Sequence, residues 1–139
     1  MVQISRFDPN ALQKFESHGG HYTSWEDLKF DDPACVAGFS VKRKEDDISA
    51  PWHLWNDEVW YVVEGEMDLT WRSPPMFMEE HRAHVTVGDV LLLKTGTQFW
   101  IKVLSDVPAR LLWVSMPRPR YFGNEDFWGA KPTLKAERG

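Results

Sequence analysis

The stretch APWHLWNDEVWYVVEG, Ala50 to Gly65, decides how this chain folds. Its second half, VWYVVEG, is β-branched and aromatic and stops at a glycine, so it reads as a strand with a turn behind it. Its first half carries the polar residues His53 and Glu58, with Trp52, Trp55 and Trp60 around them. By alternation Trp60 and Val62 share the face of Glu58, and Tyr61 points to the other side. His53 and Glu58 lie an odd number of residues apart, so one straight strand would put them on opposite faces. A turn at WND between two strands would bring them to one side. The stretch is therefore a metal site, the remnant of one, or a pocket wall.

The pattern continues on both sides. EMDLTW places Met67, Leu69 and Trp71 on one face and Glu66, Asp68 and Thr70 on the other. Pro74-Pro75 breaks the sheet pattern. AHVTVGDVLLLKTG reads as strand, turn at Gly88-Asp89, strand, turn at Gly96. FWIKVLS and ARLLWVSMP are two further strands, and CVAGFSVKRK is one upstream. A short helix is expected to start at Asp8 or Asn10, and SHGGHY reads as a loop. Short strands spaced by turns predict an all-β antiparallel sandwich or barrel. We divide the chain into an N-terminal arm over 1–35 packed on the barrel, a barrel over 36–116, and an extended tail over 117–139. The tail's Tyr121, Phe122, Phe127 and Trp128 suggest that part of it docks on something.

Composition narrows the function classes. The 139 residues suit one domain, and 42% hydrophobic content suits a packed core. A net charge of −5 argues against a phosphate-backbone binder, so no nucleic-acid partner is expected. No apolar run is long enough to span a membrane, and the N-terminus lacks the apolar core of a secretory signal. The single cysteine, Cys35, reads as a small buried hydrophobe, and a cytoplasmic location is the default expectation. Eight tryptophans are the unusual count, suited to a core and to a ligand pocket alike.

Two motifs make the chain resemble the cupins, a family of small jelly-roll β-barrels. Their first motif runs Gly, five residues, His-x-His, three or four residues, Glu, six residues, Gly. Here His53, four residues, Glu58, six residues and Gly65 keep the spacing, but Pro51 takes the place of the first His and the leading Gly is absent. Their second motif runs Gly, five residues, Pro-x-Gly, two residues, His. Here Gly88 and Gly96 fit, while Lys94 replaces the Pro and Phe99 the His. PWHLWNDEVWYVVEGEMDL followed by GDVLLLKTGTQFW is similar to the cupin domain of the ethanolamine-utilisation protein Q family. The resemblance covers about residues 36 to 116 and implies an RmlC-like cupin barrel.

It also implies where a site would be. Metal-dependent cupins hold iron, manganese or nickel with three His and one Glu pointing into the barrel. At those positions only His53 and Glu58 retain a donor, so no cofactor is expected. A divalent transition metal held by His53 and Glu58 with substitute ligands remains an alternative. The candidates for such ligands are His21 on the arm, Asp57, which should point elsewhere than Glu58, and His81 and His84, which read as surface or rim. Without a metal, His53 and Glu58 are expected as a catalytic acid–base pair in the barrel. Trp55, Trp60, Trp71, Gln98, Phe99 and Trp100 are the expected substrate contacts.

Three functions compete. The first is metal-independent acid–base chemistry of lyase, isomerase or cyclase type on a small apolar or aromatic ligand. The second is a non-catalytic binding or assembly module, as the resemblance to ethanolamine-utilisation proteins permits. The third is a metal-dependent cupin with substitute ligands. A homodimer is expected, with Val36 to Lys42 acting as an edge strand, or the tail, as its contact.

Overall fold

The computed structural model describes residues 1–116. The tail assigned to 117–139 lies outside the described residues. Among the described residues ten strands form two antiparallel sheets. They are β1 (Gln13–Ser17), β2 (Tyr22–Asp32), β3 (Cys35–Lys42), β4 (Trp52–His53), β5 (Glu58–Glu64), β6 (Glu66–Arg72), β7 (His81–Thr86), β8 (Val90–Leu93), β9 (Gln98–Val103) and β10 (Ala109–Ser115). One sheet has the order β1-β2-β3-β10-β5-β8 and the other β4-β9-β6-β7. Among the described residues no helix is long and apolar enough to cross a membrane.

Alternation decides what each strand buries. Glu58, Trp60 and Val62 of β5 point inward, and Tyr61 between them is exposed. Ala109, Leu111, Trp113 and Ser115 of β10 lie inside. Met67 and Leu69 of β6 meet Ile101 and Val103 of β9 in the core between the sheets. Gly65 turns the chain from one sheet to the other with a φ of 82°. A Cβ there would stand 2.7 Å from the Ala109 Cα, so both the backbone angle and the space require glycine.

The first residues are built into the barrel. β1 and β2 extend the six-stranded sheet, and β2 pairs with β3 from Trp25–Val41 to Asp32–Cys35. Upstream, Asp8 caps a single 3-10 turn, Pro9–Ala11, where a short helix was expected. Its backbone N–H donates to Asp27 Oδ2 at 2.9 Å on the outer face of β2. Phe7 sets its ring edge-on to Phe39, 5.3 Å away, and the Arg110 guanidinium covers Phe7 at 4.3 Å.

Two expectations are corrected here. β3 is not an edge strand: it lies between β2 and β10, so its backbone pairs on both sides and it offers no edge to a second chain. Cys35, at the end of β3 beside the turn, is half-buried rather than enclosed.

Candidate functional site

The barrel holds a narrow hollow between its two sheets. Its wall on the six-stranded sheet is Phe15, Tyr22, Ser24, Glu26, Ser40, Lys42, Glu58, Trp60, Leu111 and Trp113; the other sheet adds Trp52 and Phe99. About 30 Å³ lie open to the centre of a water molecule, room for a ligand of few atoms unless a ring turns aside. Tyr22 packs on Trp52 at 4.9 Å, and Trp60 meets Phe99 edge-on at the same distance.

Three buried ionisable side chains face this space: Glu26, Lys42 and Glu58. Each is placed by strand register. Leu111, Ser40 and Glu26 form one row across β10, β3 and β2, and Ala109 pairs with Lys42 one step along. Glu26 accepts hydrogen bonds from Ser24 Oγ and Ser40 Oγ, both at 2.6 Å, on Oε2, and from Trp113 Nε1 at 3.0 Å on Oε1. Lys42 Nζ donates to Ser24 Oγ at 2.8 Å and to the Tyr22 hydroxyl at 3.3 Å. Glu58 Oε1 accepts from Trp60 Nε1 at 2.9 Å. A relay therefore runs from Lys42 through Ser24 to Glu26, inside aromatic walls that keep bulk water away.

Gly38 makes room for this arrangement. A Cβ on it would meet the Asp27 carbonyl oxygen at 2.7 Å and the Trp113 ring at 3.0 Å. The missing side chain lets the Trp113 indole lie flat enough on β3 to reach Glu26.

The loop leading into β5 holds Glu58 in place. Asp57 points away from the hollow and accepts from Thr95 N–H and Thr95 Oγ1, each at 2.7 Å, and from Lys94 Nζ at 2.7 Å. Partial burial pushes the Asp57 carboxyl up, but the Lys94 and Thr95 donors outweigh it and hold it below the ordinary carboxylate value. Leu54 N–H to Thr97 O and Gly96 N–H to Leu54 O tie the same two loops together.

The expected His53–Glu58 couple is not formed. Trp52 pairs with Phe99, and both line the hollow; the next pair, His53 with Gln98, therefore faces out. His53 Nε2 lies 2.7 Å from Gln98 Nε2, and its ring lies parallel to that of Phe77 with centroids 6.3 Å apart. Burial, and secondarily the nearby His18, lower the pKa of His53 below 6.5. The turn at WND corrects the parity for Glu58 but leaves His53 behind.

Of the other expected contacts, Trp60 and Phe99 line the hollow. Trp55 is buried outside it. Trp71 is half-buried with its ring stacked on His81 at 5.5 Å. Trp100 faces outward beneath the Arg72 guanidinium, 5.2 Å from its ring centre. His21 reaches Asp47 on the surface at 3.2 Å, and His84 lies exposed between Glu66 and Asp68.

Tyr22, Ser24, Glu26, Ser40 and Lys42 were missed in the sequence. The signal was present: Tyr22, Ser24 and Glu26 alternate, as do Ser40 and Lys42, each set on one strand face. Polar residues in those positions read as a solvated face unless the partner sheet is known to cover them.

The donor set does not fit a resident transition metal. The hollow brings two carboxylates and a lysine but no imidazole, and Pro51 and Phe99 offer no donor at the motif positions. Among the described residues no group of three or more His, Cys, Asp or Glu gathers in a way that could hold an ion.

An antiparallel double-sheet barrel enclosing a hollow is the architecture of a cupin-type protein. Residues 39–115 match the model of the cupin domain family, and the chain belongs to that family. Among curated proteins none matches it in sequence. The fold is similar to that of the EutQ protein of Clostridium difficile, at 16% identity over 81% of each chain with a TM-score of 0.58. It is also similar to an RmlC-like cupin family protein from Methanocaldococcus jannaschii, at 13% identity over 89% of this chain and 98% of that one, with a TM-score of 0.61. Hydroxypropylphosphonic acid epoxidase from S. wedmorenis shares the fold at 14% identity and a TM-score of 0.55; 81% of this chain covers 59% of that one.

Proposed function

We propose that the hollow binds a small uncharged molecule and moves a proton on it, in chemistry of lyase, isomerase or cyclase type. The observation that carries this reading is the burial of Glu26, Lys42 and Glu58 in one aromatic-walled space. Buried ionisable groups are costly to a fold, and their gathering in a concave site marks it as a candidate for chemistry. Glu58 takes the proton, with the Trp60 indole orienting its carboxylate through Oε1. Trp52 and Phe99 set the width of the slot, which favours a ligand of few heavy atoms over a large aromatic one. His53 stands outside this machinery.

The test is exchange of the α-protons of acetone in deuterated water, followed by proton NMR. Glu58→Gln keeps the shape and removes the base, and exchange should fall by about a hundredfold. His53→Ala should leave the rate within about twofold. Equal exchange in wild type and Glu58→Gln would remove Glu58 from the chemistry.

A second reading, assembly through a homodimer, is favoured by the outer face of β8. Val90 and Leu92 are exposed there beside Tyr61 of the neighbouring β5, and β8 is an edge of the six-stranded sheet. An antiparallel pair of identical edges is self-complementary, so a second copy fits this face. Val90→Lys with Leu92→Lys should convert a dimer to a monomer in sedimentation. A wild-type monomer at high concentration would refute the contact.

A further inference from the structure

The geometry points to Lys42 as an amine that captures a small aldehyde or ketone as a Schiff base, with Glu58 then acting on the carbon next to the captured carbonyl. The inference rests on the reading of the hollow as a proton-transfer site, and it adds the class of substrate and a covalent step.

Three features combine. Lys42 is buried to 3% exposure, and it lines the hollow rather than the surface. A lysine removed from water in an apolar pocket is the usual form of a Schiff-base amine. Its Nζ contacts two hydroxyls, Ser24 at 2.8 Å and Tyr22 at 3.3 Å, and these are groups that can both give and take a proton. Ser24 in turn donates to Glu26 at 2.6 Å, so a carboxylate stands at the far end of the relay.

The step balances with these groups alone. The Lys42 ammonium passes one proton through the Ser24 hydroxyl to the Glu26 carboxylate. The freed Nζ lone pair attacks the carbonyl carbon, and the C=O π electrons move to oxygen. A proton moves from nitrogen to that oxygen, with the Tyr22 hydroxyl giving one and taking one back, to form the carbinolamine. Glu26 returns its proton through Ser24 to the carbinolamine hydroxyl. The C–O bond breaks, water leaves and the C=N bond forms. In net terms an ammonium and a carbonyl become a protonated imine and one water, and nothing is oxidised or reduced. The protonated imine withdraws electrons from the neighbouring carbon, and its C–H proton passes to Glu58, leaving an enamine. Glu58 reaches the slot from the β5 wall and Lys42 from the β3 wall, so the two address different atoms of one ligand.

The experiment treats the full chain with acetone and sodium borohydride and maps the reduced adduct by mass spectrometry of peptides. One isopropyl group should appear on the peptide carrying Lys42, about tenfold above the exposed Lys14, Lys44 and Lys102. Glu58→Gln should keep this adduct while losing α-proton exchange, and Lys42→Arg should lose both. Loss of the adduct in folded Glu58→Gln would overturn the assignment of separate roles. Two failures are distinguishable by the indole proton signals of Trp60 and Trp113 in the presence of acetone. Shifted indoles without a Lys42 adduct overturn the covalent step and leave the pocket standing. Unmoved indoles with no adduct overturn both.

Discussion

The inner face of the six-stranded sheet and the outer face of the four-stranded sheet carry similar side chains in opposite circumstances. Inside, Glu26 and Lys42 reach each other through Ser24, and all three are buried. Outside, Arg72 bonds Glu80, Arg82 bonds Glu80, and His84 sits between Glu66 and Asp68, all in contact with water. The outer pairs are screened and add little to stability. The inner set has lost its hydration, so each member depends on the others. The parity of one residue separates the two worlds: Phe99 falls inside, while Gln98 and Trp100 on either side of it fall outside.

The contrast breaks most sharply at Glu26. Replacing it by alanine leaves the Ser24, Ser40 and Trp113 donors without their carboxylate. We expect a loss of about 3–5 kcal/mol in urea denaturation. Glu80→Ala on the outer face should cost less than about 1 kcal/mol. Comparable losses at the two positions would erase the distinction between the faces.

Gly38→Ala comes next. The new methyl group must displace either the β2 backbone at Asp27 or the Trp113 ring. A destabilisation of about 1–3 kcal/mol is expected, with a changed Trp113 emission. Trp60→Phe should have a smaller effect, about 1 kcal/mol, since it removes one donor to Glu58 and some of the packing on Phe99.

The smallest effects are those of pH, and they sharpen the comparison within the outer face itself. The Asp68 hydrogen bond, opposed by slight desolvation and helped by Glu66, raises His84 above 6.5. Burial, with His18 near by, lowers His53 below 6.5. For His84 the folded form binds the proton more tightly than the unfolded chain, so its stabilisation is full below 6.5 and disappears as pH rises through the folded value. For His53 the sign reverses: its contribution is retained above 6.5 and lost as pH falls through the depressed value. Histidine ring signals followed by NMR should show His84 titrating at higher pH than His53. The reverse order would contradict the two environments.

Most of the sheet was legible because the strands from Cys35 onward alternate cleanly and stop at glycines or prolines. VWYVVE could be placed from its own residues, and β5 (Glu58–Glu64) has those ends to within a residue. β1 and β2 were not legible. Their inward positions carry Ser24 and Glu26, polar side chains that break the apolar alternation marking a buried strand face. The site was half legible for the same reason. Glu58 and Phe99 could be carried over from motif spacing, and Trp60 from alternation, whereas Lys42 and Glu26 meet only through strand pairing far apart in sequence. His53 failed because the motif spacing says nothing of the bend between β4 and β5, and that bend decides which way an imidazole points.

The most direct test of the inner face as the working face is an NMR titration of acetone into protein with labelled indole nitrogens. Trp52, Trp60 and Trp113 line the hollow, and Trp100 lies on the outside under Arg72. The account predicts that the Trp60 and Trp113 signals move first and furthest while Trp100 stays in place. Movement at Trp100 with Trp60 and Trp113 unchanged would contradict it.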